Sequence, residues 1–213
     1  MSVTVKICGL TNPGDARAAV EAGADFLGFV FYPDSRRYVG LTAGAWVRLV
    51  DGAPKVGVFR DQGPDLILRV REEAGLDLVQ LHGGESPDLC AELGGRGKVI
   101  KAIAVGETVD WGLVAAYGQV ARVLFDTSSP GGGGTGRPFD WGLLARVPPN
   151  LEFWLAGGLT PENVARALVE VRPAGVDVAS GVEAGVGRKD AGKIQAFIAS
   201  VRGTIGRREG VKA

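Results

Sequence analysis

Sulfur and imidazole are scarce in this chain. Its 213 residues hold two cysteines, one methionine and one histidine. Cys8 and Cys90 form neither a CxxC pair nor a small disulfide framework. A single histidine leaves too few imidazoles for a His-based zinc site. Net charge is missing as well. Lys and Arg number 24 against 24 Asp and Glu, and no long basic block occurs, so the electrostatic footprint of a nucleic-acid binder is absent. A local anion site is untouched by that balance, because net charge says nothing about one pocket. No stretch of about 18 uninterrupted apolar residues exists, so no membrane span is expected. The first residues show no positive segment followed by a long apolar run, so no signal peptide is expected either. These absences leave a reduced, cytoplasmic, soluble protein as the expectation, without a nucleic-acid or membrane partner.

What is present is an ordinary globular composition, 46% hydrophobic and 23% charged, enough for one sizeable core. Short β-branched runs recur along the chain: VTVKIC (3–8), DFLGFVF (25–31), KVGVF (55–59), LDLVQL (76–81), KVIKAIA (98–104), ARVLFD (121–126), EFWLAG (152–157) and GVDVAS (175–180). Between them lie stretches with helical patterning: DARAAVEAG, PDLILRVREEAG, ESPDLCAELGG, TPENVARALVEV and KDAGKIQAFIASV. Thr160-Pro161-Glu162 supplies an N-cap, a proline at the first helical position and an early acid. Gly23, Gly75 and Gly94 sit where helices should stop. DWGLV (110–114) and DWGLL (140–144) each follow a strand, and each begins a predicted helix with Asp110 or Asp140 as cap.

Strands alternating with helices imply a parallel sheet. An open doubly wound sheet and a closed (β/α)8 TIM barrel both fit, and a count of eight favours the barrel, although 213 residues is near its lower size limit. The expected organisation is a single barrel domain over 1–203 with a short C-terminal tail, 204–213.

In a barrel, chemistry sits where strands end and βα loops begin. Along strand one, Val3, Val5 and Ile7 alternate with Thr4, Lys6 and Cys8. The apolar set should face the helices. Thr4, Lys6 and Cys8 should then face the barrel axis, with Cys8 uppermost. Asp126 ends strand six in the same way, so a thiol and a carboxyl would meet at one mouth. Each has two readings. Cys8 is either a small buried hydrophobe or a base or nucleophile, with Lys6 favouring its thiolate. Asp126 either caps the following loop or serves as a general acid, which requires a carboxyl holding its proton near neutral pH. In PDSRRYVG (33–40) the arginines are either merely solvated or one of them grips a carboxylate through paired hydrogen bonds. The loops LAGGLTPENV and DVASGVEAGVGRKD are either tight turns or the phosphate corner common after strands seven and eight. His82, on the same strand face as Gln80, is either an acid–base group or a polar residue filling the mouth. Cys90 lies inside a predicted helix and reads as core.

Taken together, KICGLT, GADFLGFVFYPDSRRYV, VGVF, VQLHG, FDTSSPGGGGTGRPFDW, LAGGLTPENV and VDVASGVEAGVGRKD resemble the phosphoribosylanthranilate isomerase family, in its order and spacing, from about residue 3 to about residue 200. The resemblance implies a ribulose-phosphate-binding barrel that performs an Amadori rearrangement of N-(5-phosphoribosyl)anthranilate in tryptophan biosynthesis. It implies Cys8 as general base and Asp126 as general acid. Arg37 would hold the anthranilate carboxylate. Backbone around Gly157, Gly158, Ser180 and Gly181 would receive the phosphate, with Asp177 near that corner, and His82 is among the residues expected to contact substrate. No cofactor and no metal is implied. The family includes monomers and dimers, so a homodimer is among the assemblies expected. The glycine-rich loop 127–137 is expected to close over the substrate. Indole-3-glycerol-phosphate synthase and other barrels of this type share the phosphate corner but not the pairing of a strand-one cysteine with a strand-six aspartate.

Overall fold

The computed structural model describes residues 3–127 and 139–210, with side chains through residue 206. Eight parallel strands hydrogen-bond in chain order: β1 (Thr4–Ile7), β2 (Phe26–Val30), β3 (Lys55–Phe59), β4 (Leu78–Leu81), β5 (Val99–Val105), β6 (Arg122–Thr127), β7 (Phe153–Leu155) and β8 (Gly175–Val178). β8 pairs back onto β1, with Thr4 opposite Gly175 and Lys6 opposite Asp177, so the sheet closes. This excludes the open doubly wound alternative. Cys8 lies just past β1, and its N–H still donates to Val178 O at 2.8 Å.

The period-2 alternation sorts side chains between two cores. Val5, Ile7, Val123 and Phe125 pack outward with the helices in the larger core. Inside the barrel, Val56, Leu78, Ile100, Ala102, Leu124, Trp154 and Ala156 form one cluster. Cys8, Val30, Tyr32 and Val58 form another.

The outer layer contains α1 (Pro13–Glu21), α2 (Gly44–Arg48), α3 (Pro64–Ala74), α4 (Pro87–Glu92), α5 (Trp111–Val120), α6 (Val164–Val171) and α7 (Ala191–Gly210). Asn12 caps α1 by accepting from Asp15 N at 2.9 Å, and Asp110 caps α5 by accepting from Leu113 N at 3.0 Å. Gly23, Gly75 and Gly94 follow α1, α3 and α4 at positive φ, as their positions suggested.

Three local expectations change. Asp140 does cap a helical segment, but that segment is a 3-10 helix, Trp141–Arg146. Pro148 requires an extended residue before it, and Val147 has ψ 128, so few residues remain for a helix. Thr160 is not the cap of α6. Asn163 accepts from Thr160 N and donates to Gly158 O, both at 2.8 Å, folding 160–163 into a turn before the helix starts. Lys189 belongs to a two-residue strand, Arg188–Lys189, paired with Glu183–Gly185, so α7 starts only after Asp190, whose side chain accepts from Lys193 N at 3.0 Å. α7 then continues past Gly203 into the segment expected to be a tail. Residues 128–137 of the glycine-rich loop lie outside the described residues. Among the described residues, no helix is long and apolar enough to cross a membrane.

Candidate active site

At the C-terminal ends of the strands, a cavity of about 450 Å³ opens above the inner core. It is lined by Cys8, Arg37, His82, Asp126, Gly157, Gly158, Asp177 and Ser180, together with Tyr32 and Gln80. Gly181 is the one expected site residue outside this lining. A Cβ there would collide with Leu159 O, so its missing side chain lets the loop after β8 approach the loop after β7. Gly157 and Gly158 both have positive φ, 85° and 64°.

Cys8 is buried, at 8% exposure. Beneath it, the fully buried Lys6 donates to Asp177 Oδ2 at 2.8 Å. Burial pulls the Lys6 ammonium down, but Asp177 and Cys8 together outweigh it and hold it above its ordinary range. Lys6 does favour the Cys8 thiolate, as expected, but it is outweighed. Burial first and the Asp177 charge second push the thiol up, against the smaller pull of Lys6 and Lys189. Asp177 spends much of the Lys6 charge before it reaches the sulfur.

Asp126 has one hydrogen bond and one close polar neighbour. Its Oδ1 receives Thr127 N at 2.8 Å, and its Oδ2 lies 3.1 Å from His82 Nε2. Gln80 Nε2 lies 3.2 Å from His82 Nδ1, completing a chain from β4 to β6.

Arg37 meets Glu183 through a two-pronged ion pair, Nε to Oε1 and one terminal nitrogen to Oε2, both 2.7 Å. Glu183 also accepts from Lys189 Nζ at 3.0 Å, and Lys189 donates to Ala179 O at 2.9 Å. Burial works to raise the Glu183 pKa, but Arg37 and Lys189 overcome it and hold the carboxyl below its usual range. Burial lowers Lys189 despite that partner. One side edge of the guanidinium is therefore committed inside the protein. Its end, carrying the remaining N–H groups, stays available to a second carboxylate. Arg36 is exposed at the rim. The Glu183–Lys189 pair was not anticipated. The only trace of it in the sequence is a pair of opposite charges inside the glycine-rich run GVEAGVGRKD.

The cavity thus joins a thiol, a carboxyl with an imidazole 3.1 Å away, a fixed guanidinium and a glycine-rich wall. Residues 5–200 match the family model described as PRAI: N-(5'phosphoribosyl)anthranilate (PRA) isomerase. An N-(5'-phosphoribosyl)anthranilate isomerase of Desulforudis audaxviator is 48% identical over 201 residues, covering 93% of this chain and 97% of that protein. One of Trichlorobacter lovleyi is 43% identical over 206 residues, covering 94% and 98%. The crystal structure of phosphoribosyl anthranilate isomerase from Thermotoga maritima superposes with a TM-score of 0.87 at 43% identity, covering 94% of this chain and 99% of that one. A structure of such an isomerase in complex with reduced 1-(o-carboxyphenylamino)-1-deoxyribulose 5-phosphate superposes with a TM-score of 0.84 at 41% identity, with the same coverage.

Proposed function

The chain belongs to the phosphoribosylanthranilate isomerase family, and from that premise we propose how its cavity performs the reaction. The enzyme is an isomerase that converts N-(5-phosphoribosyl)anthranilate into 1-(2-carboxyphenylamino)-1-deoxyribulose 5-phosphate in tryptophan biosynthesis. In our reading, Asp126 in its protonated form donates to the furanose ring oxygen. The bond from that oxygen to sugar carbon 1 breaks, and the nitrogen lone pair forms an iminium. The iminium makes the proton on carbon 2 acidic, and the Cys8 thiolate removes it. The enolamine that results tautomerises to the ketone. The free end of the Arg37 guanidinium takes the anthranilate carboxylate, and backbone at Gly157, Gly158 and Ser180 takes the phosphate. The Asp177 side chain, whose Oδ1 is buried without a partner among the described residues, faces the sugar.

The observation that carries this reading is that Cys8 and Asp126 line the same cavity, on strands far apart in the barrel, with Arg37 on its wall. Purified protein mixed with N-(5-phosphoribosyl)anthranilate tests it. Rearranged product should accumulate, followed by the loss of anthranilate fluorescence. No turnover by the folded protein would overturn it.

A further inference from the structure

We propose that His82 is a positioning residue for Asp126, held by Gln80 in the tautomer that carries its proton on Nε2. The inference rests on the reading of Asp126 as general acid. His82 is fixed from several sides. Its own N–H donates to Phe59 O at 2.8 Å. Buried Lys101, reaching over from β5, donates to the carbonyls of Leu81 and Gly83 on either side of it. Glu85 accepts both from Gly83 N at 2.9 Å and from Lys101 at 3.0 Å. These contacts fix the backbone that carries the ring.

The two contacts of the ring then determine its chemistry. Whenever Asp126 is ionised it can only accept, so against that form Nε2, 3.1 Å from Oδ2, carries the hydrogen. In a neutral ring Nδ1 is then a bare acceptor, and the Gln80 amide nitrogen faces it at 3.2 Å. Gln80 Oε1 is left buried and without a partner among the described residues. An orphaned acceptor of that kind asks for an explanation. The opposite amide orientation would aim Oε1 at Nδ1 and demand a proton there, removing the donor that Asp126 uses. The orphaned oxygen accompanies the orientation that points a proton at the acid.

When Asp126 passes its proton to the ring oxygen of the sugar, negative charge appears on its carboxyl. The Nε2–H bond strengthens as that charge develops, which is the condition for speeding the step rather than binding the substrate. The other charged or titratable groups facing this site are Cys8 with Lys6 beneath it, Tyr32, Arg37 and Asp177, with Asp34 and Arg36 exposed at the rim and Arg60 close to Tyr32. None of these takes the place of the Nε2–H contact on Oδ2.

His82 is the only histidine in the chain, so 15N-histidine labelling of untagged protein gives one imidazole to observe. At neutral pH, Nε2 should be protonated and Nδ1 bare, and Gln80→Leu should shift the population toward the other tautomer. A resting Nδ1–H tautomer, or a spectrum indifferent to Gln80→Leu, overturns the proposal. Kinetics give a second test. His82→Ala should lower kcat by about tenfold or more with KM within about threefold, and His82→Gln, which keeps an N–H donor, should recover part of the loss. The acidic limb of kcat/KM should move to higher pH in His82→Ala, because the ionised carboxyl has lost a donor. An unmoved limb, or a change confined to KM, contradicts the role. Asp126→Asn is measured alongside. If it is inactive while the His82 variants match wild type, only this inference falls. If it is fully active, the underlying reading falls.

Discussion

Cys8 and Asp126 set the pH dependence together. Turnover needs the carboxyl protonated and the thiol ionised, yet a carboxyl ordinarily ionises at lower pH than a thiol. Between those two points, each loss of protonated carboxyl is matched by a gain of thiolate, so kcat/KM should be level. The decline at alkaline pH then belongs to the thiol, which burial first and Asp177 second push above its ordinary 9.0. A pH–rate profile of the wild-type enzyme should hold level through pH 9.0 and fall only beyond it; an alkaline decline centred below that value contradicts the account. The positions of Cys8 and Asp126 were legible in the sequence because strand periodicity alone sends them to one face. The raised pKa of the Cys8 thiol was not. It depends on burial first and then on Asp177, which only the β1–β8 seam brings near the sulfur.

The elements position these groups by leaving space and by pairing charge. On β2, a Cβ at Gly28 would lie 2.7 Å from Cys8 Sγ and 3.0 Å from both Cys8 Cα and Lys6 Cε. Gly28→Ala should therefore cost about 1–3 kcal/mol by overpacking and should lower kcat as the sulfur is displaced. Denaturant unfolding and the fluorescence assay read the two effects, and an alanine variant with native kcat would refute the crowding. After β8, Glu183 ties Arg37 to Lys189. Replacing it with glutamine leaves the buried Lys189 without a carboxylate and should cost about 3 kcal/mol, with a rise in KM as Arg37 loses its anchor. The sign with pH follows from the lowered Glu183 pKa. The stabilisation is present above its ordinary 4.5 and is lost as pH falls through the lower folded value. Urea midpoints of wild type and Glu183→Gln should therefore converge at strongly acidic pH, and a gap that persists there would contradict the pairing. Most strands and helix stops could be read from local pattern. The 3-10 segment Trp141–Arg146 and the turn before α6 could not, because Pro148 and Asn163 override a good-looking N-cap. The Arg37–Glu183 pair spans 146 residues, beyond the reach of any local pattern.

Across the whole molecule, closure of the barrel and assembly of the site are one event. The seam between β1 and β8 sets Lys6 beside Asp177 directly under Cys8, so the first and last strands meet where the proposed base stands. The alternation of strands and helices announced the closed sheet, and the Gly-containing loops after β7 and β8 do line the cavity. The seam's ion pair was not announced, since only closure brings its partners together. Lys6→Met should cost about 3–5 kcal/mol by leaving Asp177 buried and unpaired, and adding Asp177→Leu should restore much of that stability without restoring activity. A Lys6→Met protein as stable as wild type in chemical unfolding would refute the seam's role. The central claim, that Cys8 and Asp126 divide one proton transfer each, is tested most directly by measuring turnover and product binding in the same variants. Cys8→Ser and Asp126→Asn should each abolish isomerisation while binding the product with nearly unchanged affinity; full isomerase activity in both would contradict the account.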